Sequence, residues 1–223
     1  MKIGINLVGV SYNDGVYGRY RNYEDALDGF YKYIVNPLRE QGHEVVFYIF
    51  TYDSIKRDEI INAYQPLIRQ EFTHPTYNSI GGGDTLPNGI KMISATYISS
   101  LKQLLTADLD LVISTRFDIN FFKNPFEEYQ YDFTKCNFLW REPEFTDLPI
   151  VNDTFIVFPH SMTQNLIDTI IEMELNPPRG INVAMHNIYL PMVNQVGEEK
   201  VQWVCDEFVN TINNTLYKLM RHE

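Results

Sequence analysis

The segment Glu44-Val-Val-Phe-Tyr-Ile-Phe-Thr51 constrains this chain more than any other. It is apolar almost without interruption, so it predicts a strand covered on both faces within a mostly parallel sheet. Upstream, the apolar residues Leu27, Phe30, Tyr31, Ile34 and Leu38 recur at three- and four-residue spacing between Glu24 and Gln41, and Gly42 stands where a helix would end. Ile3 to Val10 is another short apolar run, followed by the turn chemistry of Ser-Tyr-Asn-Asp-Gly. Strand, helix, strand in this order opens an α/β fold.

The pattern continues along the chain. Ile93, Tyr97, Leu101, Leu104 and Leu105 mark an amphipathic helix that leads through Asp108-Leu109-Asp110 into a strand at Leu111-Val112-Ile113-Ser114. Further strands are expected at Asn137 to Arg141 and Thr154 to Phe158. Helices are expected at Met162 to Leu175 and Ile181 to Val193, an extended stretch at Val201 to Val204 and a terminal helix from Glu207. Tyr64 to Gly89, with Pro66, Pro75, Pro87 and the run Gly81-Gly82-Gly83-Asp84, has little periodicity and reads as one long loop. That glycine run lacks the G-x-x-x-x-G-K-[ST] pattern of a phosphate-binding loop. No repeat or linker divides the chain. With 223 residues, 44% of them hydrophobic, a single α/β domain is expected, its mixed, mostly parallel sheet flanked by helices.

Charge and cysteine content narrow the function classes. A net charge of −11 opposes broad binding to nucleic-acid backbones or anionic membranes, although a small anionic ligand can still be held by local arginines, backbone N–H groups or a divalent cation. Cys136 and Cys205 are too few for a disulfide framework and lack any paired metal spacing, so two reduced thiols are expected. No signal-type segment or apolar run long enough to span a membrane is visible, so the expectation is a soluble cytoplasmic protein. The aromatic content, 15 Tyr and 14 Phe, suggests an aromatic-rich interior with some exposed stacking surface.

In open α/β sheets ligands gather at the carboxyl ends of the strands, which draws attention to Ser114-Thr115-Arg116-Phe117-Asp118. Arg116 and Asp118 are two residues apart, so in extended geometry they point the same way and share one site edge. Asp108 and Asp110 form a literal D-x-D, but they precede the strand. At about 3.3 Å per residue the two ends lie roughly 20 Å apart, and the same metal cannot use both.

The first apolar strand, a loop bearing Gly15, Tyr17, Gly18 and Arg19, a second strand ending Thr51-Tyr52-Asp53, and an apolar strand ending Arg-x-Asp together resemble the GT-A glycosyltransferases. Among these the compact enzymes of large DNA viruses such as chloroviruses, and bacterial polysaccharide-synthesis enzymes, are most similar in pattern. The resemblance implies transfer of a sugar from a UDP- or GDP-sugar to a hydroxyl of a glycan, assisted by Mn²⁺ or Mg²⁺. It assigns residues 1–110 to the nucleotide and 111–223 to the acceptor. By the same resemblance Gly9 and Asp53 would contact the donor, Arg116 and Asp118 its phosphates, and Asp118 with a late histidine, His186, the metal; Arg19 and Arg21, beside the end of the first strand, are placed to meet a pyrophosphate or else to stand as exposed loop arginines. Asp153, before the Thr154 strand, would be the general base, with Glu142 of Trp140-Arg141-Glu142-Pro143-Glu144 in reserve and Trp140 offering an aromatic face to a sugar ring. Arg116 stands where the family's first Asp is expected, and it could itself neutralise phosphate charge. Two other readings use the same residues: a metal-dependent phosphoester or pyrophosphate hydrolase, and a noncatalytic glycan-binding domain.

Overall fold

The computed structural model describes residues 1–15, 20–66, 70–73, 92–141, 151, 154–176, 185–209 and 214–220. Its strands in chain order are β1 (Lys2–Gly9), β2 (Tyr12–Asn13), β3 (Arg21–Asn22), β4 (Glu44–Tyr52), β5 (Gln70–Thr73) and β6 (Leu111–Arg116). They continue with β7 (Ile119–Phe121), β8 (Cys136–Phe138), β9 (Phe155–Pro159), β10 (Val201–Trp203) and β11 (Tyr217–Leu219). The main sheet has the order β10-β8-β9-β6-β1-β4-β5. β1 pairs in parallel with β4 from Lys2↔Glu44 to Gly9↔Thr51, and with β6 from Ile3↔Leu111 to Val8↔Arg116. Among the described strands of this sheet only β9 runs against its neighbours, antiparallel to both β6 and β8. This is the mixed, mostly parallel sheet that the apolar runs predict.

Both faces of the sheet are covered, which explains why its strands are apolar throughout. On one face Ile3, Ile5, Leu7, Phe47, Ile49, Leu111 and Ile113 pack with Phe30, Ile34, Val35 and Leu38 of the first helical segment and Ile60 and Tyr64 of helix Arg57–Tyr64. On the other, Val8, Tyr48, Val112, Ile156 and Phe158 meet Tyr97, Ile98 and Leu101 of helix Met92–Lys102 and Leu166, Ile167 and Ile170 of helix Thr163–Leu175. The first helical segment is not uniform. It is α over Glu24–Phe30, π over Tyr31–Val35 and α again over Asn36–Glu40. Pro37 lacks an N–H and would clash with the carbonyl one turn back, and the wider turn, in which the Asn36 N–H donates to the Tyr31 carbonyl, absorbs it.

Several expectations are corrected. Within the anticipated loop after Tyr64, Gln70–Thr73 is a strand paired with β4. It carries no apolar run to betray it, and within the described sheet it is the terminal strand. The anticipated helix from Ile181 is a 3-10 turn at Met185–Asn187 followed by helix Tyr189–Val196; residues 177–184 lie outside the described residues. No terminal helix is present among the described residues after Glu207. Instead, the Asn214 side-chain oxygen accepts from the N–H groups of Leu216 at 3.0 Å and Tyr217 at 2.9 Å, a local bond that competes with helix formation and launches β11 against β7. Cys136 and Cys205 are both free thiols, the first buried, the second half-buried. No helix among the described residues is long and apolar enough to cross a membrane.

Gly29 sits where the first helix crosses β7. A methyl group there would run into the Asn120 side-chain oxygen and lie 2.5 Å from the Phe121 carbonyl oxygen. Gly29→Ala gains about 1 kcal/mol of helix propensity, but overpacking against backbone costs about 1–3 kcal/mol or more. The expected outcome is a lower melting temperature in thermal unfolding, and a variant as stable as the parent would refute this close packing.

Candidate functional site

The carboxyl ends of β1, β4 and β6 lie side by side, and the sequence fixes each one locally. Gly9 ends β1 at φ +101°, in the left-handed region that favours glycine, and the space a side chain would enter is open. The Thr51 hydroxyl donates to the Gly9 carbonyl at 2.6 Å and accepts from the Ser11 N–H at 3.1 Å, so the exits of β1 and β4 are held together. Asp53 follows, accepting from the Ser54 N–H at 3.2 Å with the Arg57 guanidinium 3.9 Å away. Burial pushes the Tyr52 phenol above its usual range, while a hydrogen bond to Thr96 and the nearby charge of Arg21 act against that rise.

At the end of β6, Phe117 turns into the core, with its ring 5.8 Å from that of Tyr64, and its neighbours Arg116 and Asp118 therefore share the opposite side. Their side chains form a fork: Arg116 Nε donates to Asp118 Oδ1 at 2.8 Å and Nη2 to Oδ2 at 2.7 Å. Arg21, delivered by the small β2–β3 ribbon, brings its Nε to 3.7 Å from Oδ2. The Asp118 side chain is 3% exposed, against 22% for Arg116 and 15% for Arg21. The carboxylate is enclosed, and the two arginine side chains keep more contact with solvent.

Mn²⁺ and Mg²⁺ take six or more hard oxygen ligands, with several carboxylates or waters around the ion. Asp118 offers none readily, because both of its oxygens already face guanidinium nitrogens that would repel a dication. Among the described residues no group of three or more His, Cys, Asp or Glu side chains could hold a metal. The described residues therefore do not fit a divalent cation at Asp118. His186 is placed elsewhere: its Nδ1 is 2.8 Å from the Val151 carbonyl, whose residue returns an N–H to the His186 carbonyl and bridges Arg141 beyond β8. The D-x-D pair belongs to the opposite rim, as its position before the strand predicts. There the Asp110 carboxylate accepts from the Lys2 N–H at 2.7 Å, and the nearby His160 ring nitrogen reaches the Leu104 carbonyl at 2.8 Å.

Arg19, Glu142, Asp153 and Gly81 to Asp84 lie outside the described residues. Thr154, next to Asp153 in the chain, is at the functional rim, where its carbonyl accepts from the Thr115 hydroxyl at 2.9 Å. Trp140 is not a sugar platform. It is 1% exposed and stacks on Tyr217 at 5.5 Å between centroids. The accessible stack involves residues that sequence reasoning missed. Tyr189 lies on Trp203 at 4.4 Å, the Arg141 guanidinium is 5.4 Å from the Trp203 ring and 5.7 Å from that of Phe208, and Asp206 pairs with Arg141 at 2.5 Å. Phe208 is 42% exposed. These residues share no period; Trp203, within the extended stretch expected at Val201 to Val204, and Arg141, in the Trp140 to Glu144 stretch, are the hints the sequence holds.

No protein-family model matches this chain, and no curated protein matches it by sequence. Solved structures do match in fold. An active-site variant of LgtC superposes with a TM-score of 0.53 at 10% identity, covering 91% of this chain and 72% of that one. A glycosyltransferase involved in glycosylation of the major capsid of PBCV-1 gives 0.52 at 9% identity, covering 92% of this chain and 83% of that one. The chain thus has the GT-A type of fold that its sequence pattern resembles.

Breaking the fork from the arginine side removes both of its short bonds from a carboxylate that is 3% exposed, with Arg21 Nε at the longer distance of 3.7 Å. Removing one partner of a buried pair costs about 3–5 kcal/mol, and the partial exposure of Arg116 sets the lower end. Arg116→Met is expected to lose about 3 kcal/mol in denaturant unfolding, and a loss below about 1 kcal/mol, the scale of a surface pair, would show that the fork is not a buried interaction.

Proposed function

We propose that this protein is a glycosyltransferase that moves a sugar from a nucleotide-diphosphate donor, a UDP- or GDP-sugar, to a hydroxyl of a glycan. The observation that carries this reading is the pair of guanidinium groups, Arg21 and Arg116, presented at the carboxyl ends of the sheet in a chain whose net charge is −11. Guanidinium groups supply paired N–H donors of the geometry that phosphate oxygens accept, and here two of them stand together at the strand ends of an otherwise acidic protein. The shared fold with proteins named as glycosyltransferases supports the same reading.

In the proposed reaction the bond from the sugar's anomeric carbon to the diphosphate oxygen breaks, and its electron pair stays on the diphosphate. Arg116 and Arg21 face the charge that develops there. The acceptor hydroxyl oxygen forms the new bond to the anomeric carbon, and its proton passes to a carboxylate. Asp153, adjacent to Thr154 at the rim, is the proposed base and Glu142 its alternative. Gly9 and Asp53, at the exits of β1 and β4, are proposed to receive the nucleoside.

The acceptor is proposed to lie over the column that ends in Phe208. A sugar ring stacks its apolar face on an aromatic one, while charged groups at the edge, here Arg141 and Asp206, bond its hydroxyls. Incubation with UDP- and GDP-sugars and a glycan panel, read by mass spectrometry, tests the whole reading. A glycan product heavier by one sugar is expected; release of free sugar alone, with no glycan product, would favour the hydrolase reading. Once an acceptor is identified, Phe208→Ala is expected to raise its KM about threefold to tenfold while leaving the donor KM unchanged. Equal effects on both substrates would remove Phe208 from the acceptor site.

A further inference from the structure

We infer that the donor's diphosphate is bound by Arg21 and Arg116 without a divalent cation at Asp118, the buried carboxylate serving as a positioning residue that aims the two guanidinium groups. This rests on the donor reading above and concerns how that donor is held. Three observations converge on it. Both oxygens of Asp118 are engaged, by Nε and Nη2 of Arg116 at 2.8 and 2.7 Å and by Nε of Arg21 at 3.7 Å, so a cation would first have to displace a two-point fork. The order of exposure, 3% for the Asp118 side chain against 22% and 15% for those of the arginines, means that a ligand arriving from solvent meets the arginine side chains before the carboxylate. Finally, a dication beside Asp118 would sit within a few ångströms of two fixed positive charges, whereas a diphosphate there would be attracted by both.

The chemistry of the guanidinium group fits the role. It carries five N–H donors in a planar fork and stays charged at any physiological pH, so a carboxylate behind it can fix its plane while other donors meet phosphate oxygens. A side chain held in place beforehand loses less rotamer freedom when the ligand arrives. As the anomeric bond breaks, charge accumulates on diphosphate oxygens already facing these donors, so no reorganisation is needed at that moment.

The test is calorimetric titration of UDP and of GDP into the full chain, once in EDTA and once in excess Mn²⁺. One of the two nucleotides is expected to bind in EDTA within about threefold of its affinity in Mn²⁺. Arg116→Lys keeps the charge but loses the fork, and is expected to weaken binding in EDTA about tenfold with the nucleotide-free melting temperature close to the parent's. Asp118→Asn, where it folds, is expected to weaken binding equally in both buffers. Binding that requires Mn²⁺, or that Arg116→Lys leaves intact, would overturn the inference and leave the donor reading standing. No binding of either nucleotide in either buffer would overturn the donor reading itself, and the inference with it.

Discussion

The pairing of β1 between β4 and β6, all three running the same way, organises everything else in the molecule. Parallel neighbours cannot be joined by a tight turn, so each connection must cross a face of the sheet, and the helices that make those crossings bury both faces. Polar chemistry is then confined to the strand ends. One polar network does lie inside: the Asn6 amide nitrogen on β1 donates to the hydroxyls of Ser100 at 3.0 Å and Ser114 at 3.1 Å, and Tyr97 meets Ser114 at 2.8 Å. That network joins helix Met92–Lys102 to the sheet and fixes the height at which β6 emerges at the rim.

The charge placed at that rim follows from the same geometry. Phe117 is drawn into the core, so the residues on either side of it are held outward and together, and a lone carboxylate in so enclosed a position would be costly. Two guanidinium groups remove that cost. They also bring two cationic side chains to the strand ends of a strongly acidic protein, each more exposed than the carboxylate they share. A metal-binding aspartate needs the opposite order, with its oxygens foremost and other oxygen ligands near them.

How much of this was legible in the sequence depended on whether a residue's role is local. β1, β4 and β6 were legible because burial on two faces leaves an unbroken apolar run, and helix Thr163–Leu175 because burial on one face leaves a helical period. β5 and β11 were not, since each is short and pairs with one partner among the described strands, which demands no distinctive composition. The alignment of Arg116 with Asp118 could be read from strand geometry alone. Arg21 could be placed beside the end of the first strand, but its approach to Asp118 could not be read, because a ribbon far earlier in the chain delivers it. Trp140 and Arg141 show the same limit. Adjacent in sequence, one stacks on Tyr217 in the core and the other on the half-exposed Trp203, and nothing in the local pattern says which turns inward.

The single reversed strand completes the rim. Had β9 run parallel to its neighbours, its carboxyl end, Pro159 and His160, would have come out beside Arg116; reversed, it sends those residues to the edge of Asp110 and brings Thr154 to the site instead. Beyond it β8 and β10 run forward again, so Arg141 and Trp203 emerge on the same side as Arg116. With neighbouring strands about 4.8 Å apart, β8 lies about 10 Å across the sheet from β6. β10, which carries Trp203, lies one strand further, about 14 Å from β6, so the reversal of one strand puts the arginine pair proposed to meet the diphosphate and the aromatic stack proposed to meet the acceptor on one rim, three strands apart.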